Sequence, residues 1–417
     1  MNFNLPPEML EATRLTRAGR VGEATSLLRR LLGGGTTENA ASPKTDARLE
    51  PPQLDLVANE VQADALAKGA HSEPPQDIEM PAPQASLDTS LPNVLRDLVG
   101  RFGRGDLVSS LQSRFSPASV RSAETVPSGG TFLARSYSNL AGTRPYKLYI
   151  PSSYRADGPA LPLIVMLHGC TQSPDDFAAG TRMNTVAEEQ SCLIVYPEQI
   201  QAANQSKCWN WFKTSDQLRD VGEPSLIAGI TREIIDEYRV DPKRVFVAGL
   251  SAGGAAAAVM GATYPELYAG VGVHSGLACG AAHDLQSALR AMKQGGAAKA
   301  RHGRNPRSVP TIVFHGDRDS TVNPRNSDQV LAGAGAAASR DVEITTEKGV
   351  AAGGRAYSRT MHRTHDGKSV FEQWRVHGAG HAWSGGSPAG SYTDTHGPDA
   401  SREMVRFFLQ LSSTREA

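Results

Sequence analysis

Apolar positions along this chain recur with two periods, and the two alternate over its C-terminal two thirds. Residues 163–167 (Leu-Ile-Val-Met-Leu), 192–196, 245–248, 269–274 and 311–314 are short apolar runs, the pattern of strands buried on both faces. Helical spacing runs over 225–238 and 255–263. Strands alternating with helices predict an α/β architecture, a mostly parallel, doubly wound sheet covered by helices on both faces. A hairpin is expected at the start, 131–139 with 144–151, turning at Ala141-Gly142. A second is expected near the end, 356–361 with 369–376, turning at Asp366-Gly367. A last helix over 400–411 packs behind it. Residues 131–412 form one domain large enough to bury its own core.

The preceding residues follow other patterns. Two apolar stripes broken at Gly19 predict a helical hairpin within 1–32, and no second copy of it occurs. Residues 33–130 are a low-complexity linker, opened by Gly33-Gly34-Gly35 and punctuated by prolines, of a composition that predicts disorder. Within it, Leu91, Val94, Leu95, Leu98, Val99 and Phe102 recur at helical spacing, with arginines around them, and predict a short amphipathic helix near 91–115. It is expected to dock on the domain of 131–412 or on another apolar surface. The hairpin of 1–32 must cover its own apolar face on the domain, another copy or a protein partner. Residues 413–417 are a tail.

Charge narrows the function. Lys and Arg equal Asp and Glu in number, so the formal net charge is zero and nucleic acid is not an expected partner. No apolar stretch reaches the length of a transmembrane helix. The first residues, Met1-Asn2-Phe3-Asn4-Leu5-Pro6-Pro7-Glu8, lack a basic start and an apolar core, which predicts the cytoplasm, or export by a route other than a Sec signal.

The chemistry sits at the ends of the strands. The run 245–248 leads into Gly249-Leu250-Ser251-Ala252-Gly253, followed by a helix of small residues. This is the order of a nucleophile elbow, in which the glycines allow strand and helix to approach and the serine stands at a strained turn. Ser251 is therefore the candidate nucleophile. It needs a base and an acid that orients the base, in the chain order serine, acid, histidine. After the strand at 311–314 comes His315-Gly316-Asp317-Arg318-Asp319, where Asp319 in the loop is preferred as the acid and Asp317 is assigned to the turn backbone. After the strand ending at Val376 comes His377-Gly378-Ala379-Gly380-His381, where His381 is preferred as the base and His377 as structural. The two histidines are four apart but not helical, and they lack the Glu of a zinc-protease helix, so no metal is expected. An early strand ends at His168-Gly169-Cys170. The amides of Cys170 and of Ala252, the residue after the serine, are the candidate oxyanion donors. Trp209, Trp211 and Trp383 are candidates for an apolar substrate-binding wall. The reaction class needs no cofactor.

Several motifs together resemble the polyhydroxybutyrate depolymerase family of esterases, relatives of feruloyl and acetylxylan esterases. They are Arg144-Pro-Tyr-Lys-Leu-Tyr-Ile-Pro151, His168-Gly-Cys-Thr-Gln172, Cys208-Trp-Asn-Trp-Phe212, Asp241 to Gly254, His315 to Asp319, and His381-Ala-Trp-Ser-Gly-Gly386, spread over 131–412. The resemblance implies an α/β-hydrolase fold and hydrolysis of carboxylic esters, with polyester or 3-hydroxyalkanoate oligomers foremost and feruloyl, acetylxylan or small esters as the alternative. A catalytically silent binding protein of the same fold is the reading outside enzymes. The resemblance also implies a Cys170–Cys208 disulfide, against which the expected cytoplasmic location argues. The pairing stays open at this level. Cys192 and Cys279 read as small core residues.

Overall fold

The structure, a computed structural model, describes residues 126–296, 308–336 and 342–412. The helical hairpin of 1–32, the linker up to residue 125 with its helix near 91–115, and the tail at 413–417 lie outside the described residues. Ten strands form one sheet in the order β1-β2-β4-β3-β5-β6-β7-β10-β9-β8. They are β1 (Thr131–Asn139), β2 (Gly142–Ile150), β3 (Leu161–Leu167), β4 (Leu193–Pro197), β5 (Val240–Leu250), β6 (Gly270–His274), β7 (Thr311–Gly316), β8 (Val342–Val350), β9 (Ala356–Thr364) and β10 (Ser369–Val376). The six central strands, β4 through β10 in that order, pair in parallel. Antiparallel hairpins close both edges. A two-stranded ribbon, β11 (Trp383–Ser384) with β12 (Thr393–Asp394), stands apart from the sheet.

Alternation along the central strands divides the core into two layers. Leu163, Val165 and Leu167 of β3 join Val245 and Val247 of β5 on one face. Ile164, Met166, Phe246, Ala248 and Leu250 point to the other. Such strands read as continuous apolar runs because both faces are covered. Seven helices were built by the chain around this sheet among the described residues: α1 (Pro174–Thr181), α2 (Met183–Gln190), α3 (Gly222–Glu237), α4 (Ala252–Thr263), α5 (Leu285–Gln294), α6 (Arg325–Ala334) and α7 (Ala400–Ser412). The α4 sequence, Ala-Gly-Gly-Ala-Ala-Ala-Ala, keeps its side chains small against β5 and β6. Helix α7 buries Met404, Val405, Phe407 and Phe408 on the second layer, with Phe408 stacked on Phe246 at 4.7 Å. Each such ring contributes about 2 kcal/mol by leaving water.

Several boundaries differ from the sequence reading. The first hairpin pairs Asn139 with Gly142, so its turn is Leu140-Ala141 and Gly142, at φ 124°, begins β2. Strand β5 is longer than its apolar run at both ends, and α4 starts directly after Ser251 because the two glycines there are helical. Strand β8 has no counterpart in the sequence reading. Glu343, Thr345, Thr346, Glu347 and Lys348 give it no apolar face, as befits an edge strand. Helices α1, α2, α5 and α6 are short, eight to ten residues each, and have no counterpart in the sequence reading either.

Candidate active site

Strand order reverses beside β3. The chain goes from β3 to β4 on one side, then crosses to β5 on the other. The C-terminal ends of β3 and β5 flank this switch point, where open α/β sheets place their ligands. Leu250 ends β5 and Ser251 follows with φ 57° and ψ −117°, a strained conformation for a residue with a side chain. Its amide donates to the His274 carbonyl at 2.9 Å, which ties the turn to the end of β6. The flanking glycines are needed for space. A Cβ on Gly249 would lie 2.4 Å from the Gly253 backbone, and one on Gly253 would lie 2.0 Å from the Leu167 carbonyl oxygen.

Asp319 and His381 meet above the sheet. Register brings them together, because β7 and β10 are parallel neighbours that end at Gly316 and Val376 side by side. His381 Nδ1 is 2.7 Å from Asp319 Oδ2. The other oxygen of Asp319 accepts the amides of Thr321 and Val322 at 2.9 and 2.8 Å. Burial pushes the Asp319 carboxyl up, and the neighbouring His315, the hydrogen bond with His381 and the Val322 amide together outweigh it, so its pKa lies well below the ordinary value. His315 Nε2 donates to the Val322 carbonyl at 2.8 Å and stands 3.4 Å from Asp319 Oδ2. The shorter contact is the hydrogen bond, and His315 acts on Asp319 chiefly as a neighbouring dipole.

Asp317 and His377 form a second pair. His377 Nδ1 lies 2.9 Å from Asp317 Oδ2, and Asp317 Oδ1 accepts the Gly378 amide at 2.6 Å. Asp317 thus bonds the turn backbone, as its position suggested, and an imidazole as well.

The loop after β3 is organised from beneath. His168 is buried; its Nε2 accepts the Gln199 amide at 3.0 Å, so Nδ1 carries the proton and donates to the Gly169 carbonyl at 2.7 Å. Burial pushes its pKa down to about 4, against the pull of that carbonyl. Gln172 is buried too. Its Oε1 accepts the Gly169 amide at 2.9 Å, while its Nε2 donates to Asp176 Oδ2 at 2.9 Å and to the Ser391 carbonyl at 3.2 Å. The Thr171 amide donates to Ser206 O at 2.7 Å. The amides on either side of Cys170 are therefore both committed. Cys170 itself is joined to Cys208 by a disulfide with the Cα atoms 4.2 Å apart, which resolves the pairing that the sequence left open. The disulfide binds the Cys208-Trp-Asn-Trp-Phe212 segment to this loop. Behind it, Glu223 gathers the Asn210 amide at 2.7 Å, the Asn210 side chain and the Gln199 side chain, with Arg144 3.8 Å away. Burial, with the charge of Asp216 beside it, raises the Glu223 pKa.

His274, the last residue of β6, has a specific task. It is fully buried, with Nε2 accepting the Ser384 amide at 2.9 Å and its ring stacked on Trp383 at 5.0 Å. Burial holds its pKa well below the ordinary range. One residue thus anchors both the Ser251 turn, through its carbonyl, and the segment after His381, through its ring.

The tryptophans need correction as a substrate wall. Trp209 and Trp383 are 0% and 1% exposed, and Trp211 is 6% exposed. Trp383 is wedged between His274 and Phe177, with Nε1 on Ser401 Oγ. Trp209 packs on the His168 ring at 5.8 Å. Trp209 and Trp383 thus pack behind the loops of the site, and Trp211 lies in the core against Phe212. The exposed aromatic near the loop is Tyr392, 47% exposed, with its hydroxyl 3.1 Å from Thr171 Oγ1. Nothing in its sequence surroundings marks it; its left-handed backbone, φ 52°, places it there. Among the described residues no group of His, Cys, Asp and Glu is arranged to hold a metal ion, and no helix is long and apolar enough to cross a membrane.

Comparison with known proteins agrees with the architecture. The profile of the family described as esterase PHB depolymerase matches residues 144–335. Poly(3-hydroxyalkanoate) depolymerase C of Paucimonas lemoignei is 29% identical over 273 residues, covering 61% of this chain and 63% of that protein. Feruloyl esterase B of Neurospora crassa is 31% identical over 213 residues, covering 46% of this chain and 70% of that protein. The chain therefore spans less than two thirds of the depolymerase it resembles. Among solved structures, acetyl xylan esterase from Aspergillus awamori superposes with a TM-score of 0.54 at 19% identity, over 67% of this chain and 99% of that one. That likeness shows the α/β-hydrolase fold.

Proposed function

The chain belongs to the esterase PHB depolymerase family, and on that premise we propose that it is a serine esterase working through Ser251, His381 and Asp319. Ser251 attacks the ester carbonyl while His381 takes its proton, and Asp319 holds the imidazole in the tautomer that can accept it. His381 then protonates the leaving alkoxide, and water releases the acyl group from Ser251. The amides of Cys170 and Ala252 receive the oxyanion. Support comes from the neighbouring loop amides being committed elsewhere, and from the first amides of a helix having no acceptor within it. The observation that carries the reading is the 2.7 Å contact of His381 with a buried carboxylate, in a chain whose Ser251 follows a sheet strand at φ 57°.

The proposed substrates are 3-hydroxybutyrate oligomers or related polyesters, with Tyr392 as a surface they contact. The likeness to a feruloyl esterase, which the chain covers over 70% of its length, favours aromatic or small acyl esters as the second reading. Purified protein is to be assayed on 3-hydroxybutyrate oligomers and on methyl ferulate, with Ser251→Ala as control. Serine-dependent release of hydroxybutyrate supports the first reading. Turnover of ferulate alone establishes the second, and no turnover of either sinks both. The Cys170–Cys208 disulfide supports an exported location over the cytoplasmic one, and thiol labelling in cell fractions tests that. A granule or protein partner for residues 1–115 is tested by deleting them and measuring partition onto polyester granules.

A further inference from the structure

Strands β7, β10 and β9 are adjacent, and their register brings three reactive residues into line. Arg375 pairs with both His315 and Ser358. One step beyond the end of β10, His377 stands beside Asp317 and diagonally across from Ser358. The side chains meet: Ser358 Oγ is 2.9 Å from His377 Nε2, and His377 Nδ1 is 2.9 Å from Asp317 Oδ2. Because the carboxylate can only accept, Nδ1 carries the proton in the neutral ring and Nε2 is the acceptor for the Ser358 hydroxyl. The Gly378 amide fixes the other carboxylate oxygen. This hydroxyl–imidazole–carboxylate relay shares no member with Ser251, Asp319 and His381. It is open to solvent, with the His377 and Asp317 side chains 39% and 33% exposed. Ser358 lies between two cations on its own face of the sheet, since its cross-strand partners are Lys348 on β8 and Arg375 on β10. Arg375 also faces Asp328 at 3.7 Å.

We propose that Ser358 is a second nucleophile, which takes up an acyl group from small activated carboxylic esters with His377 as its base. The Ser358 oxygen bonds to the ester carbonyl carbon as its proton passes to His377 Nε2. The tetrahedral oxyanion forms beside Lys348 and Arg375. It collapses with cleavage of the bond to the alcohol oxygen, which takes the proton from His377 when it needs one. The product is acyl-Ser358, and one water hydrolyses it to acid and serine. Two side-chain cations stand here in place of fixed amides, so acylation is slow and the acyl group outlives one turnover.

The test uses the full chain with Ser251→Ala and p-nitrophenyl acetate as the probe. Intact mass and peptide mapping read the adduct, and phenolate release reads its rate. The expected result is one acetyl group on Ser358, absent in Ser251→Ala/Ser358→Ala and formed at least tenfold more slowly in Ser251→Ala/His377→Gln. Thermal melting of each variant shows that it is folded; if His377→Gln is not, Asp317→Asn takes its place. Acetyl found only on lysines, or on Ser358 at the same rate without His377, overturns the proposal. Labelling of Ser251 in the unsubstituted chain reports separately on the esterase reading.

Discussion

The carbonyl of His274 accepts the amide of Ser251 at 2.9 Å, so the turn that carries the candidate nucleophile hangs from the neighbouring strand. The same histidine's imidazole accepts the Ser384 amide, three residues after His381. The serine turn and the segment after His381 are therefore both tied to one buried residue, the first through its backbone and the second through its ring.

Ser251→Ala is expected to lower kcat for a short p-nitrophenyl ester at least ~10⁴-fold, in line with the loss of a serine that acts as one unit with its base. The hydroxyl takes no part in the fold's packing, so melting temperature should stay within a few degrees. Steady-state kinetics beside calorimetry check both. Turnover within tenfold of the unsubstituted chain would remove Ser251 from the mechanism.

Asp319→Asn keeps the shape but presents an amide to His381, which turns the imidazole into the wrong tautomer. The expected drop in kcat is ~10⁴-fold. Stability responds as well. The Asp319 pKa is depressed in the folded chain, so its contribution is present above the unfolded value near 3.8 and is lost as pH falls through the lower folded value. Denaturant titrations of the two proteins should therefore differ most above pH 4 and converge in stronger acid; a constant offset down to pH 2 speaks against the assignment.

His168 gives a second pH window with its own sign. Burial lowers its folded pKa to about 4, so between there and the ordinary 6.5 the unfolded chain binds a proton that the folded chain does not. Stability then falls as pH drops through this window, by about 3 kcal/mol for this group. His274 acts in the same direction. In His168→Gln the melting temperature should be lower at pH 7 and should change less between pH 6.5 and 4.5. Parallel profiles for the two proteins would show that His168 is not the group responsible.

Cys208→Ser opens the link between the loop after β3 and the Trp209–Trp211 segment. Releasing a cross-link across a sequence separation of 38 residues costs roughly 4 kcal/mol. It should also lower kcat, because the Cys170 backbone loses its tether. Added dithiothreitol should bring the unsubstituted chain to the same melting temperature and leave the variant unchanged. Equal melting of all four samples would mean that the bond contributes nothing.

Much of this was legible in the order of residues. The elbow, the loop acid and the loop histidine are signals confined to a few neighbouring positions, and strand ends are marked by apolar runs meeting glycine. What escaped depends on distant partners. Gln172 meets Ser391 across 219 positions, and His274 meets Ser384 across 110. No local pattern announces either. The tryptophans misled for a related reason: Trp383 sits in a motif beside His381, but Phe177 and His274 close over it from other elements. Strand β8 carries too few apolar residues to be seen until its neighbour β9 supplies a partner.

The bonds of Gln172 to Asp176 and Ser391 have a practical meaning for anyone reshaping this protein. A mutagenesis library drawn only around the serine would leave 387–394 untouched, yet that segment helps hold the floor on which Cys170 rests. Beneficial and damaging changes there should combine non-additively with changes in 168–172, so the two stretches are better randomised together than in turn.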